Sequence, residues 1–187
     1  MSGANTHNEG PVVVASDHGG FGLKMAIKAH LEALGRIVID VGTHNTESCD
    51  YPVFATAAAE AVAKGAAWRG IIVDGAGIGS SMVANKIHGV RAALAFNLKT
   101  AANAREHNDA NVLTLGAGYL QEREAREIVD VFLSTACTVD RHQRRVSMID
   151  ALDEARPQLR SASDMSVDTG QQRLIEAIER ALKANPT

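Results

Sequence analysis

The sequence predicts an α/β protein: a doubly wound, five-stranded parallel sheet in three layers, followed by a C-terminal helical extension. Three observations carry this. Short apolar runs alternate with helical patterns along the chain, strand then helix, which is the signature of parallel β-α-β units. The strand runs are apolar without a polar alternation, as in PVVVAS at 11–16, and so belong to strands covered on both faces. Glycines and polar residues follow several strands, where sheets of this class bind their ligands.

The elements follow in order. Pro11–Ser16 is the first strand, ended by Asp17-His18-Gly19-Gly20. Leu23, Ala26, Ile27, Leu31 and Leu34 form one helical stripe, and Gly35 stops that helix. Arg36–Val41 is the second strand and Gly42–Asp50 a polar loop. Tyr51-Pro52 opens an alanine-rich helix to Lys64, with proline in the first turn, where its missing N–H is harmless. Ile71–Val73 is the third strand, Val90–Phe96 the fourth and Asn111–Leu115 the fifth. Helices are expected around Lys99–Glu106, over Gln121–Ser134 and from about Arg141 to Leu152. The chain divides into a polar arm at 1–10, a domain at 11–152, a linker at 153–170 and an amphipathic helix at 171–187.

Composition narrows the function. Apolar residues are 45% and charged residues 22%, ordinary for a globular protein, and the net charge of −3 argues against nucleic acid or an acidic membrane as partner. No apolar run is long enough to cross a bilayer, and the first ten residues lack a signal-peptide core. Two cysteines, Cys49 and Cys137, without a CxxC pattern, fit a reducing cytoplasm.

The stretch that organises the chemistry is IIVDGAGIGSSMVANK, 71–86. Strand, then Gly75, Gly77 and Gly79 at alternate positions, then a helix start at Ser80–Lys86, is a recipe for holding an anion such as a phosphate or an enediolate oxygen. It is not a P-loop, since no Gly-Lys-Ser/Thr follows, and an ordinary glycine-rich βα turn would read the same way. Asp17, His18, Thr43, Asp74 and His107 to Asp109 are expected to converge on one edge of the sheet. Singly each has an ordinary explanation, as a helix cap or a solvated loop residue. A nucleotide-binding or oxidoreductase reading needs a first-strand glycine fingerprint, and SDHGGFG has the wrong order.

SDHGGFGLK (16–24), Asp50-Tyr51-Pro52, GAGIGSSMVANK (75–86), REHNDANVL (105–113) and RHQRRV (141–146) together resemble the type B ribose-5-phosphate isomerases and the related galactose-6-phosphate isomerase subunits. The resemblance covers about 11–152 in the same order. It implies a Rossmann-like domain, interconversion of aldose and ketose phosphates, and no metal or organic cofactor. It also implies a homodimer, possible as part of a tetramer, with active sites shared between subunits. His107 is the implied ring-opening group, and an imidazole that titrates near neutrality suits that task. The Gly75, Gly77 and Gly79 backbone with Asn108 would hold the enediolate. Arg141 and Arg145, four apart on one helical face, would grip the phosphate, although a run such as RHQRR also reads as a solvated basic face. Asp17, His18 and Tyr51 would surround the sugar and its phosphate.

The sequence departs from that pattern in its reaction centre. Asp74 stands where most type B enzymes carry a cysteine base, and Ser80 where a branch of the family carries a glutamate. Ala76 replaces the threonine or serine that helps move a proton between oxygens. Gly118 replaces an arginine that contacts phosphate. Two readings follow: Asp74 is the base of an isomerase acting on a pentose or tetrose phosphate, or the chain is a non-catalytic sugar-phosphate-binding or structural subunit working with a partner. In the tail, Leu174, Ile175, Ile178 and Leu182 make one apolar stripe. That helix either docks on its own dimer or binds a partner or shell assembly, being similar in layout to the peptides that attach enzymes to bacterial microcompartments.

Overall fold

The computed structural model describes residues 10–155. It contains a five-stranded, all-parallel sheet in the order β2-β1-β3-β5-β4. The strands are β1 (Val12–Ser16), β2 (Val38–Asp40), β3 (Arg69–Asp74), β4 (Ala92–Leu94) and β5 (Val112–Gly116). The helices are α1 (Phe21–Ala33), α2 (Tyr51–Ala63), α3 (Ile78–Ala84), α4 (Leu98–Asn108), α5 (Glu122–Ser134) and α6 (Asp140–Ala155).

The three inner strands are buried on both faces, which is why they read as unbroken apolar runs. Val12, Val14, Ile71, Val73, Leu113 and Leu115 point into one core, with Ile27 and Leu31 of α1, Ala101 of α4 and Ile128 and Phe132 of α5. Val13, Ala15, Ile72 and Val112 point the other way, against Ala55, Ala58, Ala59 and Val62 of α2 and Ala84 of α3. The alanines let α2 approach the sheet closely. These two cores make the expected three layers.

The edge strands are shorter than the sequence suggests. β2 and β4 keep three residues each, where Arg36–Val41 and Val90–Phe96 were expected. Each has a ladder partner on one side only, and short edges also limit pairing with other chains. At the other end, α6 continues to Ala155, three residues into the stretch expected to be linker. The rest of that linker and the helix expected at 171–187 lie outside the described residues, as does most of the 1–10 arm.

The strand order fixes where a ligand can sit. β1 is followed by β2 on one side and flanked by β3 on the other, so the connections diverge at the carboxyl ends of β1 and β3, the switch point of an open parallel sheet. Asp17-His18 leaves β1 there, and the Asp74–Gly79 loop leaves β3 there.

Candidate active site

Two loops meet at that point. A Cβ built on Gly19 would lie 3.5 Å from Asp17 Oδ1 and 3.8 Å from Gly75 N, so the β1 loop packs against the glycine loop. The Gly20 N–H donates to Asp17 Oδ1 at 2.9 Å, tying the start of α1 to the same residue. Gly77 has φ +75°, and a Cβ on it would fall 2.6 Å from a Leu94 methyl and 2.8 Å from the Leu115 carbonyl carbon. Only glycine fits there. A Cβ on Gly79 would lie 2.6–2.8 Å from the Tyr51 ring and hydroxyl, so the tyrosine covers this glycine. His18 is exposed at the mouth, where its Nδ1 accepts the Cys49 N–H at 3.2 Å and has the Cys49 Sγ 3.9 Å away. Asp17, His18, Tyr51, Asp74, Gly75, Gly77 and Gly79 are thus brought together.

The Asp74 carboxylate is turned inward to its own loop. Oδ1 accepts the Ala76 N–H at 2.7 Å and the Gly77 N–H, and Oδ2 accepts the Ser80 N–H at 3.0 Å and the Ser80 hydroxyl. A carboxylate offers about four lone-pair sites, and these four donors fill them. Asp74 is 6% exposed and Ser80 fully buried, so water does not compete.

Behind the loops stands a buried lysine that the apolar stripe of α1 conceals. Lys24 Nζ donates to both Asp40 oxygens, at 2.7 and 2.9 Å, and to the Thr43 carbonyl at 2.8 Å. It joins α1, β2 and the loop leading to Cys49 and Tyr51. Burial pushes the Lys24 ammonium below its ordinary range, and its hydrogen bond with Asp40 pulls it back up. Sequence reasoning missed this residue, since a lone lysine within a helix reads as surface.

His107, Asn108 and Asp109 are elsewhere, which corrects the expected convergence on one edge. They end α4, and α4 runs from the carboxyl end of β4 back to the amino end of β5. The Asn111 N–H donates to the Arg91 carbonyl just before β4, and Gly70 pairs with Val112 at the start of the β3–β5 ladder. β5 covers five residues, so roughly 13 Å of strand at 3.3 Å per step separates this end from the glycine loop. Within one chain His107 and Asn108 do not join that loop.

They do join α6. The His107 and His142 rings stack with centroids 4.0 Å apart. His142 is 4% exposed, donates from Nδ1 to the Glu106 carbonyl at 3.0 Å, and accepts from Arg141 Nε at its Nε2, at 3.1 Å. The buried imidazole thereby holds both the ring of His107 and the guanidinium of Arg141. Arg145 follows one turn later, exposed like Arg141. Nothing in the sequence distinguished His142 from its neighbours in RHQRRV. Among the described residues no group of three or more His, Cys, Asp or Glu is placed to hold a metal ion, and no helix is long and apolar enough to cross a membrane.

Fold and site define a class: an open parallel α/β protein with a glycine loop at its switch point and a separate imidazole–arginine cluster on its last helices. The chain belongs to the Ribose/Galactose Isomerase family, which it matches over residues 12–149. It is 41% identical over 145 residues to ribose-5-phosphate isomerase B of Escherichia coli, covering 78% of this chain and 97% of that protein. Among solved structures it resembles ribose-5-phosphate isomerase B of Clostridium thermocellum, with a TM-score of 0.76 and 43% identity over 78% of this chain and 98% of that one. It also resembles the Mycoplasma genitalium enzyme with bound ribulose-5-phosphate, with a TM-score of 0.75 and 40% identity over 78% and 97% of the two chains.

Proposed function

We propose that the chain is an aldose–ketose isomerase of small phosphorylated sugars, ribose 5-phosphate and ribulose 5-phosphate or a related pentose or tetrose pair, acting through an enediolate. The observation that carries this is the pairing, in a member of this family, of an anion-adapted glycine loop with a histidine–arginine cluster. The two lie on opposite edges of one sheet, so a complete site takes the loop from one copy and α4–α6 from another. A two-fold dimer supplies two such sites, because each surface meets its counterpart reciprocally. In that site His107 opens the sugar ring as its general acid and base, the role for which imidazole is most often used. Arg141 and Arg145 hold the phosphate as planar, permanently charged donors, and Asn108 with the loop backbone holds the enediolate oxygens. Asp17, His18 and Tyr51 surround the sugar.

A panel of aldose phosphates of four to six carbons, assayed for ketose formation, tests this. Turnover of at least one member is expected, with loss when the phosphate is omitted. A second reading, a sugar-phosphate-binding subunit without turnover, is favoured by the way the Asp74 carboxylate is consumed by its loop. It predicts binding of the same panel with no ketose formed.

The position of residues 171–187 beyond the family match supports a separate proposal, that this stretch attaches the enzyme to a partner assembly such as a bacterial microcompartment shell. Residues 160–187 fused to an unrelated protein should then carry it to the shell, and Ile175→Asp with Ile178→Asp should stop the transfer. If the fusion stays free, the tail is not an attachment segment.

A further inference from the structure

We infer that Asp74 is a positioning residue, whose carboxylate holds the Gly75–Gly79 loop in the shape that binds the reacting oxygens, and that it is not the acceptor of the carbon-bound proton. This rests on the isomerase reading above and reassigns one residue within it.

The geometry makes the case. A general base needs an open lone pair within hydrogen-bond reach of the proton it takes. Asp74 has none open: the Ala76 and Gly77 amides occupy Oδ1, and the Ser80 amide and hydroxyl occupy Oδ2. To accept a proton it must release one of these donors into a pocket that is nearly dry around it. The same contacts explain why a carboxylate is useful here. They span residues 76, 77 and 80, so one side chain ties both limbs of the loop together. Gly77, held with φ +75° against Leu94 and Leu115, is the pivot, and an acceptor on its amide keeps the pivot closed. Ser80 sits where a branch of the family has a glutamate, and here its hydroxyl serves Asp74. The proton acceptor then lies off β3, among the ionisable groups of the two halves: His18, Cys49 and His107.

The test compares Asp74→Asn and Ser80→Ala with the parent enzyme, using turnover, its pH profile, and binding of a phosphorylated aldonohydroxamate, a mimic of the enediolate. Asparagine keeps an oxygen for the Ala76 and Gly77 amides and loses the acceptor for the Ser80 amide. A positioning role therefore predicts that Asp74→Asn retains kcat within about tenfold and that KM and the hydroxamate Kd rise together, with the acid limb of the profile unmoved. Ser80→Ala should show a smaller change in the same direction. The inference is overturned if Asp74→Asn loses about a thousandfold or more of kcat while binding the hydroxamate normally. It is overturned equally if Ser80→Ala, by freeing a lone pair, raises turnover and shifts the acid limb. Should the parent isomerise nothing, the isomerase reading fails. The hydroxamate Kd of the parent against the two variants still decides whether Asp74 shapes the loop: an unchanged Kd overturns the inference, a raised one upholds it.

Discussion

Lys24 is the residue whose environment departs furthest from what its type suggests. It is fully buried at the start of α1, yet its three donors all find oxygen, two on Asp40 and one on Thr43. Removing one partner of a buried pair leaves the other desolvated. Lys24→Met should therefore destabilise the chain by about 2–4 kcal/mol, slightly below the usual range for such a break. The reduction follows from what Asp40 keeps: the Gly42 N–H at 3.1 Å and Lys28 at 3.8 Å. Urea titration measures it, with Lys64→Met as the comparison, since Lys64 pairs with Glu60 while 62% exposed and should matter by less than about 1 kcal/mol. Equal effects at the two sites would show that the buried pair is not an anchor. Periodicity could not reveal Lys24, because it reports which way a helix faces and not which charges find partners inside. Asp74 is a similar case. Its place after β3 was legible in the sequence, but not the four donors that fold back onto it, because those depend on the path of the loop.

At the scale of elements the reading succeeded where burial is simplest. Inner strands covered on both faces must be apolar throughout, and β1, β3 and β5 lie where the runs PVVVAS at 11–16, IIV at 71–73 and NVLTL at 111–115 placed them, with differences of a residue or two. It erred where direction matters more than pattern. His107 to Asp109 precede β5, and a helix connecting parallel strands must return to their amino ends, so these residues belong opposite the glycine loop. α4 and α6 instead form a unit through the His107–His142 stack and the Arg141–His142 hydrogen bond. Under the proposed function both residues then serve the same site. A mixture of His107→Ala and Arg141→Ala chains should show no recovered activity, since every hybrid site carries one defect or the other. Recovery in that mixture would mean that α4 and α6 of one chain serve different sites.

For the whole molecule, the sheet acts as a spacer. It presents the glycine loop, proposed above to hold the enediolate, at one edge and His107 with Arg141 and Arg145, proposed to open the ring and hold the phosphate, at the other, and a single chain cannot close the distance. Under the proposed function a second copy supplies what the first lacks, which would make a dimer part of the chemistry and not only of the stability. This claim is tested most directly by mixing two inactive variants with defects in opposite halves. His107→Ala removes the imidazole from one half. Gly79→Leu puts a side chain into the space of the Tyr51 ring and obstructs the loop in the other half. Each homodimer should be inactive. After denaturation together and refolding at equal amounts, random pairing makes about half the dimers hybrids, each with one intact site, so about a quarter of the parent activity should return. No recovery, with hybrid dimers verified by mass, would place both halves of the site within one chain and contradict the account.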